Sequence, residues 1–352
     1  MNFSIQLLHW YKYNHRDLPW RNTIDPYLIW ISEIILQQTR VNQGYKYYLR
    51  FIERFPDVKT LANAKEEDVL KLWQGLGYYS RARNIYHAAQ QIMNDYEGIF
   101  PSDYHEIIKL KGIGSYSASA IASIAFKQAY PVIDGNVLRV ISRIYGITTA
   151  VDSTKGKKEV EEILISLIDH QSPDIFNQAM MEIGAMVCTP QQPKCETCPL
   201  QQFCAAYENK NAERFPVKTK KISQRSRFFY YLVIRYAVKN ETFIYLNKRC
   251  KNDIWKNMYD FPLIESEKEL SIEDDILIKI DNILQTDQFV VKKISKQFKH
   301  QLTHQTIYAS FIDIECKLSL SESKQYFEIA FNEIGAYPIP KLIDNYLTSN
   351  FI

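Results

Sequence analysis

Four cysteines in one short stretch are the residues of this chain best suited to bind a metal. Cys188, Cys195, Cys198 and Cys204 are spaced C-x6-C-x2-C-x5-C. Thiolates this close can surround either zinc or an iron–sulfur cluster. Zinc modules usually present two matched C-x2-C pairs, whereas here one pair has an outlier on each side. The spacing therefore favours a cluster and leaves zinc open, while a disulfide framework is not expected in a long chain that begins without a signal peptide.

Two carboxylates have surroundings suited to acid chemistry. Glu33 lies in LIWISEIIL, where a charge is costly unless it is paired or unless a raised pKa has a use. It is either a general acid kept protonated or a partly exposed side chain on a buried helix. Asp134, in YPVIDGNVLRV, is a candidate N-cap at a helix N-terminus, which favours its charged form. Such a pair could expel a base from deoxyribose through an oxocarbenium-like state.

The segment LKGIGSYSASAIASIAF could bind a phosphate. Gly112 and Gly114 allow a tight turn that brings backbone N–H groups and a helix N-terminus close to an anion. The plain alternative is an αα-hairpin packed through Ser and Ala.

These residues fall within a two-part chain, as expected for 352 residues. Amphipathic helical patterns fill residues 1–206, a polar and basic linker follows at 207–227, and β-branched and aromatic runs then predict an α+β domain over 228–352. The net charge of +3 gives no broad basic footprint, so any DNA site must be local. No apolar run reaches membrane-spanning length.

Together, the hairpin, Asp134 and the four-cysteine loop resemble the helix-hairpin-helix family of DNA base-excision glycosylases, over nearly all of residues 1–204. The resemblance implies an all-α catalytic domain with a [4Fe–4S] cluster loop at the four cysteines. It divides that domain into a hairpin lobe, about 26–130, and a cluster lobe, 1–25 plus 131–206. The domain over 228–352 is similar to the MutT/Nudix fold.

Within this family, LPWR, SEIILQQTRV, WQGLGYYSRARN, DGN and NQAMMEIGA look like the MutY-type adenine DNA glycosylases. By this resemblance Glu33 protonates the leaving adenine, Asp134 stabilises the sugar cation, and Tyr116 and Asn136 assist. Tyr116 stands where the bifunctional branch carries a Schiff-base lysine, so efficient β-lyase activity is not expected.

The same resemblance assigns contacts with the bases and the DNA backbone. Leu76 and Tyr78 are similar to the wedge that opens the duplex, and Leu302-Thr303-His304 stands where the family usually has F-S-H. The expected substrate-contacting and DNA-contacting residues are Arg21, Gln38, Thr39, Leu76, Tyr78, Gly112, Gly114, Thr303 and His304.

The resemblance implies a monofunctional enzyme that removes adenine paired with 8-oxoguanine or guanine in double-stranded DNA. The alternatives are a mismatch thymine glycosylase, a bifunctional pyrimidine glycosylase/lyase and a non-catalytic DNA-binding iron–sulfur protein. We expect a monomer without membrane attachment, located in the cytoplasm of a bacterial-type cell and on the nucleoid when bound to DNA.

Overall fold

The structure is a computed structural model that describes residues 2–37, 39, 41–219, 224–271, 275–285, 288–317 and 326–351. The chain forms two compact units. Met1–Asn63 and Asn84–Lys220 make the first, and Ala64–Arg83 and Lys221–Ile352 make the second. Across the described ranges no helix combines the length and the apolar character needed to cross a bilayer.

The first unit is all-α. Its helices are α1 Phe3–Asn14, α2 Pro26–Leu36, α3 Val41–Arg54, α4 Val58–Ala62, α6 Ser80–Asp95, α7 Tyr104–Ile107, α8 Ser115–Phe126, α9 Gly135–Tyr145, α10 Thr154–Leu167, α11 Pro173–Met186 and α12 Ala205–Glu208, where α6 begins in the second unit. Helix α2 starts as its sequence predicts, because the Asp25 side chain caps the Tyr27 N–H at 2.8 Å and Pro26 occupies the first turn.

Two packed regions position the site in this unit. Helices α1, α9, α10 and α11 share an apolar core in which Leu7, Ile141 and Phe176 are fully buried. Burying one such side chain contributes about 1.5–3 kcal/mol. Helix α2 packs against α8, whose buried face is built of Ser, Ala and Ile. These small side chains let the two helix backbones approach closely.

The second unit is α+β. Its helices are α5 Glu66–Leu72, α13 Leu277–Leu284 and α14 Lys341–Asn350, and its strands are β1 Arg225–Val238, β2 Glu241–Lys248, β3 Tyr259–Asp260, β4 Leu263–Ser266, β5 Phe289–Ile294, β6 Phe298–Gln301, β7 Gln305–Cys316 and β8 Phe327–Ala330. In the described residues they form one eight-stranded sheet of order β3-β2-β1-β7-β5, with β4 on β1, β6 on β7 and β8 on β2. Among the strand pairs formed by the described residues, β1 and β7 run parallel and the others run antiparallel.

The predicted fold class is confirmed, since a helical unit carries the cysteine loop and an α+β unit holds most of the C-terminal residues. The domain boundaries drawn from the sequence stay a prediction. Part of the predicted linker is not a free tether: Val217 O accepts from Val151 N at 3.0 Å, and Thr219 N donates to Asp152. The basic composition of this stretch did not reveal these backbone bonds to the helical unit.

Candidate active site

Glu33 lies one turn before the end of α2 and is 6% exposed. Burial raises its pKa from 4.5 to about 7, and nearby Asp134 adds to the rise. A hydrogen bond from Tyr116 and the charge of Arg21 act in the opposite direction. The alternative of a partly exposed glutamate is excluded, and the side chain is poised to exchange a proton near neutral pH.

Tyr116 is the second residue of α8, directly after the hairpin, and its hydroxyl donates a hydrogen bond to Glu33 Oε2. Burial and the neighbouring carboxyl raise the pKa of Tyr116 well above its usual range, so the phenol remains a donor. One residue along, Ser117 Oγ accepts from Gln37 Nε2 at 2.8 Å. Two side-chain hydrogen bonds, one at Glu33 and one at Gln37, therefore connect the end of α2 to the start of α8.

Asp134 is the N-cap of α9. Its Oδ1 accepts from Val137 N at 2.7 Å, and its Oδ2 accepts from Asn136 Nδ2 at 2.7 Å. These bonds favour the carboxylate, but burial outweighs them and raises the pKa of Asp134 above 3.8. The expectation that the cap alone would keep this aspartate charged is thus incomplete, because it left out the buried position.

Arg139 fixes the side chain of Asn136 through a hydrogen bond. Its Nη2 donates to Asn136 Oδ1 at 2.9 Å and to Gly184 O at 2.7 Å, while Nε donates to Cys188 O at 2.7 Å. A methyl group on Gly184 would lie 2.6 Å from Asn136 Cβ, so only glycine fits there. Asn136 and Asp134 are consequently fixed by neighbours on α9 and α11.

Arg21 shares a buried carboxylate partner, Glu182, with Arg16. Glu182, on α11, is 1% exposed in its side chain and accepts from Arg21 Nη2 at 2.5 Å and from Arg16 Nη2 at 2.7 Å. Burial alone would raise its pKa, but the two guanidinium groups lower it to about 2. Sequence reasoning did not single out Glu182, although a glutamate inside the apolar segment NQAMMEIGA is the same signal that marked Glu33.

One cavity of about 410 Å³ brings these groups together. Its described lining includes, among others, Arg16, Arg21, Glu33, Thr39, Tyr116, Asp134, Asn136 and Glu182. Thr39 lines it through a side chain whose hydroxyl donates to Ile35 O at 2.8 Å. Gln38 lies outside the described residues. A carboxyl with a pKa near neutrality, a second carboxylate and fixed donors can together protonate a leaving group and stabilise a cation.

The two hairpin glycines differ in whether the local backbone geometry requires a glycine. Gly112 has a φ of +77°, and a Cβ there would meet Asn84 at 2.5 Å. Gly114 has an extended backbone, caps α8 and has open space around its Cα. Only Gly112 is therefore demanded by the local geometry, while Gly114 leaves the start of α8 open to an approaching anion.

The four cysteines line one space beside Arg143, whose Nη1 donates to Cys188 Sγ at 3.3 Å. Burial raises the pKa of the Cys198 thiol to about 12, so a thiolate there needs a bound cation. In the described parts of the chain no three His, Cys, Asp or Glu side chains stand close enough to share a single metal ion. Four thiols that line one space without converging on a single ion fit a [4Fe–4S] cluster better than they fit zinc.

The predicted wedge and recognition residues lie together in the second unit. Tyr78 is 48% exposed, which excludes a core role, and its hydroxyl is hydrogen-bonded to that of Thr303. Leu76 is half-buried, and His304 is exposed. A cavity of about 420 Å³ between these segments is lined by Tyr78, Trp255, Leu302, Thr303 and His304, among others.

Comparison with known proteins finds matching family models in three stretches. The HhH-GPD superfamily base excision DNA repair protein model covers residues 31–170. The iron–sulfur binding domain of endonuclease III covers 188–204, and a NUDIX domain covers 230–349.

Relatives match over most of the chain. An adenine DNA glycosylase of Buchnera aphidicola subsp. Acyrthosiphon pisum (strain APS) is 41% identical over 271 residues, which are 77% of this chain and 76% of that protein. A second, from Buchnera aphidicola subsp. Schizaphis graminum (strain Sg), is 37% identical over 87% of this chain and 85% of its own length. The chain belongs to the adenine DNA glycosylase family.

The likeness extends to solved structures. A thermostable thymine-DNA glycosylase is 30% identical, with a TM-score of 0.55, and covers 59% of this chain and 95% of its own. Family membership makes this a base-excision DNA repair enzyme with a [4Fe–4S] cluster, so the iron–sulfur prediction is confirmed and zinc is set aside. The cluster would be held by Cys188, Cys195, Cys198 and Cys204, the four cysteines within the matched iron–sulfur stretch.

Proposed function

We propose that this chain hydrolyses the N-glycosidic bond of adenine paired with 8-oxoguanine or guanine and leaves an abasic site. The observation that carries the proposal is the pairing of Glu33 with Tyr116 in the cavity that also holds Asp134. A glutamic acid with a pKa of about 7 can donate a proton that an ordinary carboxyl would already have lost.

The reaction balances with these groups. Protonated Glu33 donates its proton to the adenine ring, at N7, and the bond between the sugar C1′ and N9 breaks with its electron pair going to the base. The Asp134 carboxylate stabilises the resulting oxocarbenium-like sugar. A water then adds to C1′, and its proton passes to Glu33, which restores the acid. Asn136 fixes the orientation of Asp134, and Tyr116 fixes that of Glu33.

Monofunctional hydrolysis is supported by the composition of the cavity. In a lyase an amine nucleophile attacks C1′ and forms a Schiff base. Tyr116 occupies the position at which the resemblance places that lysine, and the described residues that line the cavity include no lysine. The cationic side chains among these lining residues are Arg16 and Arg21, and both form ion pairs with Glu182.

Recognition of the opposite base is supported by the second unit. Thr303 presents a hydroxyl on the β6–β7 turn, where it meets the exposed Tyr78. The hydroxyl oxygen can accept a hydrogen bond from the N7–H of 8-oxoguanine, a donor that guanine lacks at that position. The monomeric state and the cytoplasmic, nucleoid-associated location stay predictions.

The test is single-turnover excision on four otherwise identical duplexes: adenine opposite 8-oxoguanine, guanine or thymine, and thymine opposite guanine. Each sample is analysed with and without alkali, which separates base removal from strand cleavage. We expect adenine loss opposite 8-oxoguanine and guanine, with strand breaks only after alkali. Preferred loss of thymine, breaks without alkali, or binding without any excision would each support one of the alternative functions instead.

Two variants sharpen this test. Glu33→Gln keeps the shape of the side chain but cannot cycle a proton, so it should lose excision by at least 10²-fold while binding duplex DNA. The control Glu162→Gln changes an exposed glutamate paired with Lys158 on α10 and should behave like the unmodified protein. Near-normal turnover by Glu33→Gln would contradict the mechanism.

A further inference from the structure

The segment Ala64–Arg83 is structurally part of the second unit, although it lies within the sequence of the helical region. It consists of α5, the loop that carries Leu76 and Tyr78, and the first residues of α6. Its bonds to the sheet therefore decide where Tyr78 is presented.

Glu67 forms two of these bonds. Its Oε1 accepts from Lys248 Nζ and from the Tyr259 hydroxyl, both at 2.5 Å. Lys248 and Tyr259 face each other on neighbouring strands β2 and β3, so one carboxylate holds both. Glu66 Oε1 adds a bond from Asn257 Nδ2 at 2.8 Å. Helix α5 is thereby fixed at its N-terminal turn.

Further bonds hold the segment on both sides of the loop that carries Leu76 and Tyr78. Arg83 Nη1 donates to Lys256 O at 2.9 Å, and Lys71 Nζ donates to Tyr337 O at 3.0 Å. Lys256 lies only three residues before Tyr259, the partner of Glu67. Both ends of the segment are therefore bonded to the same short stretch of the α+β unit, residues 256–259. The loop between them is thus anchored to the sheet on both sides.

The loop itself adopts a demanding conformation. Gly75 and Gly77 have φ values of +95° and +79°, and Tyr78, at +47°, occupies the left-handed region that a tyrosine rarely adopts. Trp73 Nε1 donates to Gly77 O at 3.1 Å, and Gly75 N donates to the Tyr79 hydroxyl at 3.2 Å. Such backbone geometry persists where surrounding contacts over-determine it, and it clusters at functional sites.

We propose that Glu67 is a positioning residue for opposite-base discrimination: it fixes α5 on β2 and β3 and so sets the Tyr78–Thr303 pair against the base opposite adenine. This inference rests on the proposed function and extends it to a residue outside the recognition turn. The proposal assigns Glu67 no contact with the substrate and no part in proton transfer. It acts through the position of Tyr78.

The test compares the rate of adenine excision opposite 8-oxoguanine with the rate opposite guanine, under single turnover and in the full chain. Because both duplexes meet the same protein, a general loss of stability cancels in the ratio. Glu67→Ala should lower the 8-oxoguanine preference about fivefold, the effect of one partly exposed ion pair. Tyr259→Phe, which removes only a hydroxyl, should lower it in the same direction and serves if Glu67→Ala folds poorly.

The matched control is Glu315→Ala. Like Glu67→Ala, it removes a glutamate from a lysine ion pair of this unit; here the pair joins Glu315 on β7 to Lys292 on β5, at 2.6 Å. That pair has no bond to residues 64–83, so the ratio should stay unchanged. An equal fall in the ratio for Glu315→Ala would overturn the assignment to Glu67.

A double-mutant cycle with Thr303→Ala tests whether Glu67 acts through the Tyr78–Thr303 pair or independently of it. If Glu67 acts through the Tyr78–Thr303 pair, the double variant should discriminate no worse than Thr303→Ala alone. Multiplied losses, or an unchanged ratio in Glu67→Ala, would overturn the inference. A wild-type protein that excises no adenine would instead overturn the proposed function, so the two failures are distinguishable.

Discussion

The buried acid makes a quantitative prediction about stability. A carboxyl whose pKa rises from 4.5 to about 7 on folding costs the folded state about 3 kcal/mol once it ionises. Glu33 is 6% exposed, so solvent screening reduces this figure little. The stability that neutral Glu33 gives the folded state is complete below pH 4.5, where the carboxyl is protonated in both states. It declines as the carboxyl of the unfolded chain ionises, and it is lost once the pH has risen through about 7. Glu33→Gln avoids that loss because an amide does not ionise.

We therefore expect Glu33→Gln to be more stable than the wild-type protein, by about 1 kcal/mol at pH 5 and about 3 kcal/mol above pH 8. Between pH 5 and 8.5 the difference in midpoint temperature should grow by about 4–8 °C for a unit of this size. The assay is thermal unfolding of both full-length proteins, followed by circular dichroism, in matched buffers at half-unit pH steps.

A control in the same cavity has the opposite sign. Glu182→Gln removes a carboxylate whose pKa of about 2 leaves it ionised throughout this range. The variant should thus be destabilised by a nearly constant amount from pH 5 to 8.5. A pH-independent difference for Glu33→Gln as well would refute the raised pKa of Glu33 and, with it, the argument for a general acid.

Three further predictions concern neighbouring residues. Tyr116→Phe removes the hydrogen bond that lowers the pKa of Glu33, so the alkaline limb of the excision–pH profile should move to higher pH while the maximal rate falls; an unmoved limb would contradict the Tyr116–Glu33 contact. Gly184→Ala should displace Asn136 and reduce excision at least tenfold with the cluster's visible absorbance retained, whereas Gly335→Ala, which meets no atom within 4 Å, should change neither. Cys198→Ser should abolish the visible absorbance and lower the unfolding midpoint, and the same change at exposed Cys250 should do neither; equal effects at both positions would argue against the four-cysteine site.

Local patterns predict several of the individual elements. The Asp25-Pro26 pair marks the start of α2, and the apolar run around Glu33 predicts that the helix is buried. The long strands β1 and β7 follow from their β-branched and aromatic composition. Strands β3 and β8 carry no such signal, because two and four residues are too few to show a period of two.

Contacts between distant segments required the structure. The hydroxyl of Tyr116 meets Glu33 only because α2 and α8 pack together, and no local pattern reports that pairing. Likewise, α5 has an ordinary helical pattern, while its partners Lys248 and Tyr259 lie far along the chain. The sequence therefore indicated which residue types could do chemistry, and the packing determined which of them work together.

The most direct test of the central claim is the pH dependence of single-turnover adenine excision by the full chain on a duplex with adenine opposite 8-oxoguanine. If protonated Glu33 is the acid, the rate should fall about tenfold per pH unit above a pKa near 7. It should also fall at low pH as Asp134 becomes protonated. A rate that stays constant or rises between pH 7 and 9 would contradict the account.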